Sequence, residues 1–141
     1  MVKKLIVLFT ILITCGVILF FQSPAQSTDV QKVILSKKEV VFDEAKFIFN
    51  PILEKSGESI KLKFLMEITS YINADLLDFD FNEVIMLVLN DDAIESSQYD
   101  VIEKGSHRLI ANITFNVEQF TPTTQFGLKV FTYSDNDVFW D

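Results

Sequence analysis

The chain has 141 residues, 49% of them hydrophobic, which excludes an intrinsically disordered chain and suits one ordinary folded domain. The formal net charge is −8, and all 20 acidic residues but only 10 of the 12 basic residues lie after Ser27, so that part of the chain has a formal charge of −10. This argues against nucleic acid as a partner, because contacts to phosphates need a basic surface.

The first 27 residues have the organisation of an export signal or a membrane anchor. Lys3 and Lys4 precede an uncharged apolar run, Leu5–Phe21, and a short region rich in small residues follows it. Cleavage is predicted after Ser27 or after Ala25. The apolar run of 17 residues lies at the lower limit for a helix that spans a bilayer, so an uncleaved anchor is the alternative.

Both possibilities place residues 28–141 outside the cytoplasm, because the lysines keep the short N-terminal end inside. The membrane is then a partner only through the N-terminal segment. Cys15, in "LITC", loosely matches a lipoprotein box, although the apolar sequence after it favours a thiol within the apolar run. No cysteine follows it, so the exported domain has no disulfide and depends on its apolar core.

Short strands are predicted directly after the leader. β-branched and apolar residues predict strands at Val30–Lys37, Glu39–Phe42 and Ala45–Leu53. The clearest strand is Ser59–Tyr71, in which apolar residues recur at every second position. After a crossing segment of mixed polarity, Val84–Leu89 is apolar throughout, which predicts a central strand buried on both faces.

The second half of the chain continues this pattern. Asn90–Asp92 is a turn signal, the segment Ile94–Gly105 is interpreted as a long connection, and Ser134–Asp137 as another turn. Further strands are predicted at Arg108–Val117, Gln125–Tyr133 and Val138–Trp140. Seven to nine short strands, with no convincing helix beyond the leader, predict an all-β fold, a single antiparallel Ig-like β-sandwich that spans residues 28–141.

Few residues offer catalytic chemistry. His107 and Arg108, the chain's single histidine and single arginine, stand side by side before a strand. A zinc site needs three or four ligands, and Ser-His-Asp catalysis needs a nucleophile turn and an oxyanion loop for which the sequence has no motif. We therefore predict no enzymatic activity. The two residues are interpreted as the polar entrance to the strand and as candidates for interaction with a protein.

Acidic turns offer a different kind of site. Asp91 and Asp92 in one turn, and Asp135 and Asp137 in another, provide the oxygen ligands that calcium prefers. Loops at one end of a sandwich can converge, so a calcium site formed by these four aspartates is the alternative to ordinary solvated turns. No other cofactor is predicted.

Three aromatic residues near the C-terminus are candidates for a binding patch. Trp140, Phe139 and Tyr133 could form an exposed surface for a protein or a sugar. A tryptophan that closes the core is the commoner arrangement and the favoured one. Trp140 stays among the candidate interaction residues, together with His107 and Arg108.

Three short motifs in the second half of the chain, "TSY" at Thr69–Tyr71, "KGSHR" at Lys104–Arg108 and a closing "VFW", resemble a group of small exported β-sandwich domains of unknown function. The resemblance covers Ile60–Trp140. Ser70 and Ser106 stand where that group has histidines, so the resemblance implies the fold and export but no metal site. A second likeness, to Ig-like domains of surface lipoproteins, implies the same class.

These observations predict a non-catalytic exported module that mediates protein–protein interaction in the cell envelope or at the cell surface. An open sheet edge or a cluster of end loops is the expected means. The expected partner is an envelope protein or another copy of the chain. One alternative is cation binding by the acidic turns, and the other is a membrane-anchored subunit of an envelope complex.

Overall fold

The structure, a computed structural model, describes residues 29–121 and 123–140. The predicted leader, residues 1–27, lies outside the described residues. Within the described part of the chain, no helix is both long and apolar enough to cross a membrane. The described residues form an all-β fold of two antiparallel sheets, which is consistent with a β-sandwich.

Ten strands make up the two sheets of the described chain. In chain order they are β1 (Gln31–Ile34), β2 (Lys38–Phe42), β3 (Ala45–Ser56), β4 (Ser59–Ser70), β5 (Ile85–Leu89), β6 (Asp92–Glu95), β7 (Gln98–Lys104), β8 (Arg108–Val117), β9 (Phe126–Phe131) and β10 (Asp135–Trp140). The large sheet has the order β1-β3-β4-β8-β7, with β2 also paired to β3, and the small sheet has the order β10-β9-β5-β6.

Alternation of apolar residues decides which face of the large sheet is buried. In β4 and β8, every second side chain points into the core and its neighbours point outwards. The buried apolar side chains of these two strands are Leu62, Phe64, Met66, Ile68, Leu109, Ala111, Ile113, Phe115 and Val117. The predicted inward faces of both strands are therefore confirmed, with Ile60 at the strand end only half-buried.

Two hairpins close through two-residue turns with a left-handed backbone. The turn between β2 and β3 has φ of 52° at Asp43 and 60° at Glu44, and the turn between β5 and β6 has φ of 50° at Asn90 and 71° at Asp91. Positive φ at both central residues is the geometry that matches the twist of a hairpin. Apart from glycine, asparagine and aspartate tolerate it best. The turn predicted at Asn90–Asp92 is confirmed.

The crossing from β4 to β5 contains two short helical segments, a 3₁₀ helix at Ala74–Asp78 and a one-turn helix, α1, at Phe81–Val84. The expectation of no helix beyond the leader is therefore wrong here. Asp80 caps α1, because its carboxylate accepts from the Asn82 backbone N–H at 3.0 Å and so satisfies one of the free donors of the first turn. The crossing buries Leu76, Leu77 and Phe81 against the core.

An aromatic cluster joins the two sheets. Trp140 of β10 is 3% exposed and stacks on Phe126 of β9 with ring centroids 5.1 Å apart. From the large sheet, Phe64 and Phe49 contact the same indole at 5.5 and 6.4 Å. The indole nitrogen donates to the carbonyl oxygen of Ser36 at 2.6 Å. The one polar group of the ring is thus satisfied, and Trp140 closes the core.

Three local expectations differ from the structure. The segment Ile94–Gly105 is not a plain connection, because it contains the second half of β6 and all of β7, edge strands whose mainly exposed side chains carry no apolar alternation. Asp135 and Asp137 lie in β10 rather than in a turn. β5 is buried on one face only, since Met86 and Val88 on its other face are half-buried.

Replacement of Trp140 by alanine is expected to lower the free energy of unfolding by about 3–5 kcal/mol, because it leaves a cavity between the sheets. Phe139→Ala is the matched control, since the neighbouring aromatic side chain points to the opposite face and is 51% exposed; its expected cost is about 1 kcal/mol or less. Urea unfolding followed by far-ultraviolet circular dichroism, which reports the backbone and does not need the tryptophan, measures both. Equal losses for the two variants would contradict the bridging role of Trp140.

Candidate functional site

A cleft with exposed apolar walls lies at the end of the large sheet where β2 turns into β3 and β4 ends. Its volume is about 540 Å³. Val41, Tyr71 and Ile72 line it and are 74%, 75% and 77% exposed. Polar side chains, Lys46 and Glu67 among them, lie beside these three. Large apolar side chains grouped on a surface and rimmed by polar residues are typical of an interaction site.

Asp43 fixes the wall of the cleft that is formed by the β2–β3 turn. Its carboxylate accepts hydrogen bonds from the hydroxyls of Ser134, at 2.6 Å, and Thr132. Partial burial raises the pKa of Asp43, but these bonds and those from the backbone N–H groups of Ser134 and Tyr133 outweigh it, so the pKa lies below its ordinary 3.8. The turn of the large sheet is thereby tied to the β9–β10 turn of the small sheet.

Ser70 fixes the opposite wall, at the end of β4. Its buried hydroxyl donates to the Asn73 carbonyl oxygen at 2.8 Å and accepts from the Asn73 N–H at 3.1 Å. Its backbone N–H donates to the carbonyl oxygen of His107 at 3.0 Å. Tyr71 and Ile72 lie between the two bonded residues, so this small ring holds their side chains at the rim of the cleft.

His107 and Arg108, the candidate interaction residues, lie next to the cleft. The His107 ring packs on the Tyr71 ring with centroids 5.3 Å apart. Arg108 Nε donates to Glu67 Oε1 at 2.9 Å, and its Nη1 lies 3.7 Å from Glu103 Oε1. Both residues are exposed, and β8 begins at Arg108. Their expected position at a strand entrance is confirmed, and their part in an interaction stays a prediction.

The four aspartates expected to bind calcium do not meet at one point. Asp91 and Asp92 form the β5–β6 hairpin end, whereas Asp135 and Asp137 lie in the first half of β10. The register of β9 with β5 and with β10 places Asp135 at the opposite end of the small sheet from Asp92. No group of three or more His, Cys, Asp or Glu side chains within the described residues is arranged to hold a metal. Calcium binding stays a prediction, without a common ligand set for it.

Trp140 is not part of an exposed patch, because it fills the space between the sheets. The favoured arrangement, a tryptophan that closes the core, is what the structure has, and a role of Trp140 in an interaction stays a prediction. Phe139 and Tyr133 are exposed. Sequence reasoning missed the exposed apolar residues of the cleft. Tyr71 and Ile72 gave one signal, two apolar residues in succession after the last buried position of an alternating strand. Val41 gave none. It stands between two other apolar residues, Val40 and Phe42, so the sequence of this short strand does not show that Val41 points outwards.

Comparison of the chain with protein-family models, with curated proteins and with solved structures finds no match in any of the three. The candidate site is therefore defined by its own geometry. The resemblance to small exported β-sandwich domains stays an expectation from the sequence.

Asp43→Asn is expected to lower the free energy of unfolding by about 1 kcal/mol at neutral pH, because it weakens charge-assisted hydrogen bonds at a partly solvated site. The folded pKa lies below 3.8, so this contribution is complete above pH 3.8 and is lost as the pH falls through the folded pKa. Asp91→Asn in the other left-handed turn is the control, with an expected change within about 0.5 kcal/mol. Chemical unfolding between pH 2 and 7 measures both, and a difference from wild type that persists at the acid end would contradict this account.

Proposed function

We propose that the chain is an exported, non-catalytic Ig-like module that binds a protein partner through the cleft at the end of the large sheet. The observation that carries the proposal is the joint exposure of Val41, Tyr71 and Ile72 around one cleft. Hydrogen bonds of Asp43 and Ser70 hold both walls in place. A preorganised surface loses little conformational entropy when a partner binds, which favours affinity.

The strand order supports the Ig-like assignment. The order β3-β4-β8-β7 beside β10-β9-β5-β6 corresponds to strands A-B-E-D beside G-F-C-C′ of immunoglobulin domains. Connections cross between the sheets after β4, β6 and β8, as they do after B, C′ and E. Phe64, Phe126 and Trp140 lie on the strands that correspond to B, F and G, the region where antibody domains have a disulfide between B and F.

The position of the first described strand supports an accessible cleft. Gln31 of β1 pairs with Lys55, near the β3–β4 turn, whereas the cleft includes Ala45 at the other end of β3. About ten residues of strand separate these two ends, a distance of roughly 33 Å. A leader or anchor in residues 1–27 would therefore join the domain at the end remote from the cleft.

The chemistry of the cleft suits a protein partner. Removal of the three exposed apolar side chains from water would contribute about 1–2 kcal/mol each. Tyrosine is a frequent anchor of protein interfaces, because its large rigid ring also offers a hydroxyl group. Lys46, His107 and Arg108 at or near the rim add hydrogen-bond donors for carbonyl or carboxylate groups of the partner.

Photocrosslinking tests the proposal directly. With a photoreactive amino acid at position 72, we expect a discrete adduct with one envelope protein of the host. With the same amino acid at position 34, which is 80% exposed in β1, we expect none. When Tyr71→Ser is added to the variant with the photoreactive amino acid at position 72, we expect the yield of the adduct to fall about tenfold, as for the loss of an interface anchor. Identical adducts from both positions, or no adduct from position 72, would contradict the proposal.

A further inference from the structure

The outer face of the small sheet carries a row of apolar residues that no other described element covers. Phe139 of β10 pairs with Gly127 of β9, Gly127 pairs with Val88 of β5, and Val88 pairs with Ala93 of β6. In the next row, Met86 of β5 points to the same side. The side chains of these rows are half-buried or exposed. The central strand β5 has apolar side chains on both faces, but among the described elements only its inner face is packed against another layer.

The Phe139 ring lies against Gly127 on this face. A methyl group added at Gly127 would overlap the ring and would lie 3.0 Å from the carbonyl oxygen of Val138. The glycine thus leaves room for the ring, and the ring covers the bare backbone of the neighbouring strand. Phe139 is nevertheless 51% exposed, so the face presents an aromatic surface to a partner.

A second cleft lies at the end of this face. Its volume is about 350 Å³, and its walls include Val88, Phe126 and Phe139. The β5–β6 turn contributes Asn90 and Asp91 to the same cleft. Asp91 therefore lies beside the apolar walls. A ligand in this cleft would meet apolar surface and one carboxylate together.

The charge of the small-sheet face is strongly acidic. Nine of the ten basic residues that follow Ser27 belong to the strands of the large sheet or to the segments that join them. Lys129 is the tenth, and it lies in β9. The acidic residues on the outer side of the small sheet are Glu95, Asp135 and Asp137, with Asp91 in the β5–β6 turn, whereas Asp92 is the register partner of the inward-facing Leu89. This face is therefore net negative, in contrast to the large sheet.

The two sheets also differ in how their carboxylates are paired. On the large sheet, hydrogen bonds from Lys37 and Lys46 lower the pKa of Glu39 to about 2. Hydrogen bonds from Lys63 and Lys32 likewise lower the pKa of Glu54. Among the described residues, no ion pair involves a carboxylate of the small-sheet strands. Lys129 is the register partner of Asp137 on this face, and the other acidic side chains of the face are left for an external cation.

From the apolar row, the cleft and this charge, we propose that the outer face of the small sheet binds a cationic amphipathic segment of a partner protein. Apolar side chains of the segment lie over Phe139 and Val88, and its lysine or arginine side chains pair with Asp91 and Glu95. The inference builds on the proposed role as a binding module, but it concerns a surface separate from the cleft at Tyr71. Each surface can therefore be tested alone.

Three labelled synthetic peptides of equal length test the proposal with the folded domain. Lysine alternates with leucine in the first, lysine with serine in the second, and glutamate with leucine in the third. Fluorescence anisotropy is expected to detect binding of the lysine–leucine peptide, with affinity at least about tenfold above that of the other two. Phe139→Ser and Glu95→Lys are each expected to weaken this binding about tenfold.

Matched variants separate a specific surface from general attraction. Glu58→Lys makes the same change of charge in the exposed β3–β4 turn, and Ile34→Ser removes an exposed apolar side chain from the large sheet. Both are expected to leave the affinity within about twofold of wild type, as is Tyr71→Ser, which tests the other surface. Equal binding of the lysine–serine peptide, equal effects of Glu95→Lys and Glu58→Lys, or absence of binding would overturn the proposal. Self-association of the domain that Phe139→Ser abolishes would also overturn it, because the occupant would then be a second copy of the chain.

Discussion

The contact of Trp140 with Phe64 and Phe126 is the interaction on which the rest of the domain depends. No cysteine follows Cys15, so within residues 29–121 and 123–140 the two sheets are held by apolar packing. The aromatic cluster fixes β10 against the large sheet, and the Trp140 indole is further held by the carbonyl oxygen of Ser36. The position of β10 determines where the β9–β10 turn lies, and therefore where Asp43 finds its hydrogen-bond donors.

The candidate site follows from this packing. Ser134 and Thr132 of the β9–β10 turn hold Asp43, and Asp43 in turn holds the hairpin that carries one wall of the cleft. The other wall depends on Ser70, a small buried residue that bonds both backbone groups of Asn73. Substitutions at Asp43 or Ser70 should therefore change the shape of the cleft, although neither side chain would itself contact a partner.

The two surfaces divide the charge of the molecule between them. Lysine–glutamate pairs cross the strands of the large sheet and neutralise much of its outer face. Among the described residues, the acidic side chains of the small-sheet strands, next to its apolar row, take part in no ion pair. Opposite faces of one thin domain can thus meet partners of different chemistry, and the strength of any contact to the small sheet should fall as salt is added.

Sequence patterns predicted well which side chains face the core. In long strands such as β4 and β8, apolar residues at every second position indicate a strand with one buried face and no other structure. Short edge strands were missed, since the exposed residues of β7 show no alternation. For β5, the apolar run correctly predicted a strand but wrongly predicted burial of both faces. Met86 and Val88 are apolar, yet no other described layer covers them. The cleft was missed because two separate segments, 41–48 and 67–72, form it, and no local pattern shows that Asp43 ties the first of them to the β9–β10 turn.

Cysteine labelling at position 72 tests the central claim, that the end of the large sheet is covered by a partner in the cell. The described chain contains no cysteine, so Ile72→Cys introduces a single reporter there, and Glu58→Cys marks the opposite end of the sheet. We expect a maleimide to label both positions in the purified domain, but to label position 72 much more slowly in the intact envelope of the host. Equal labelling of the two positions in the envelope would contradict the account.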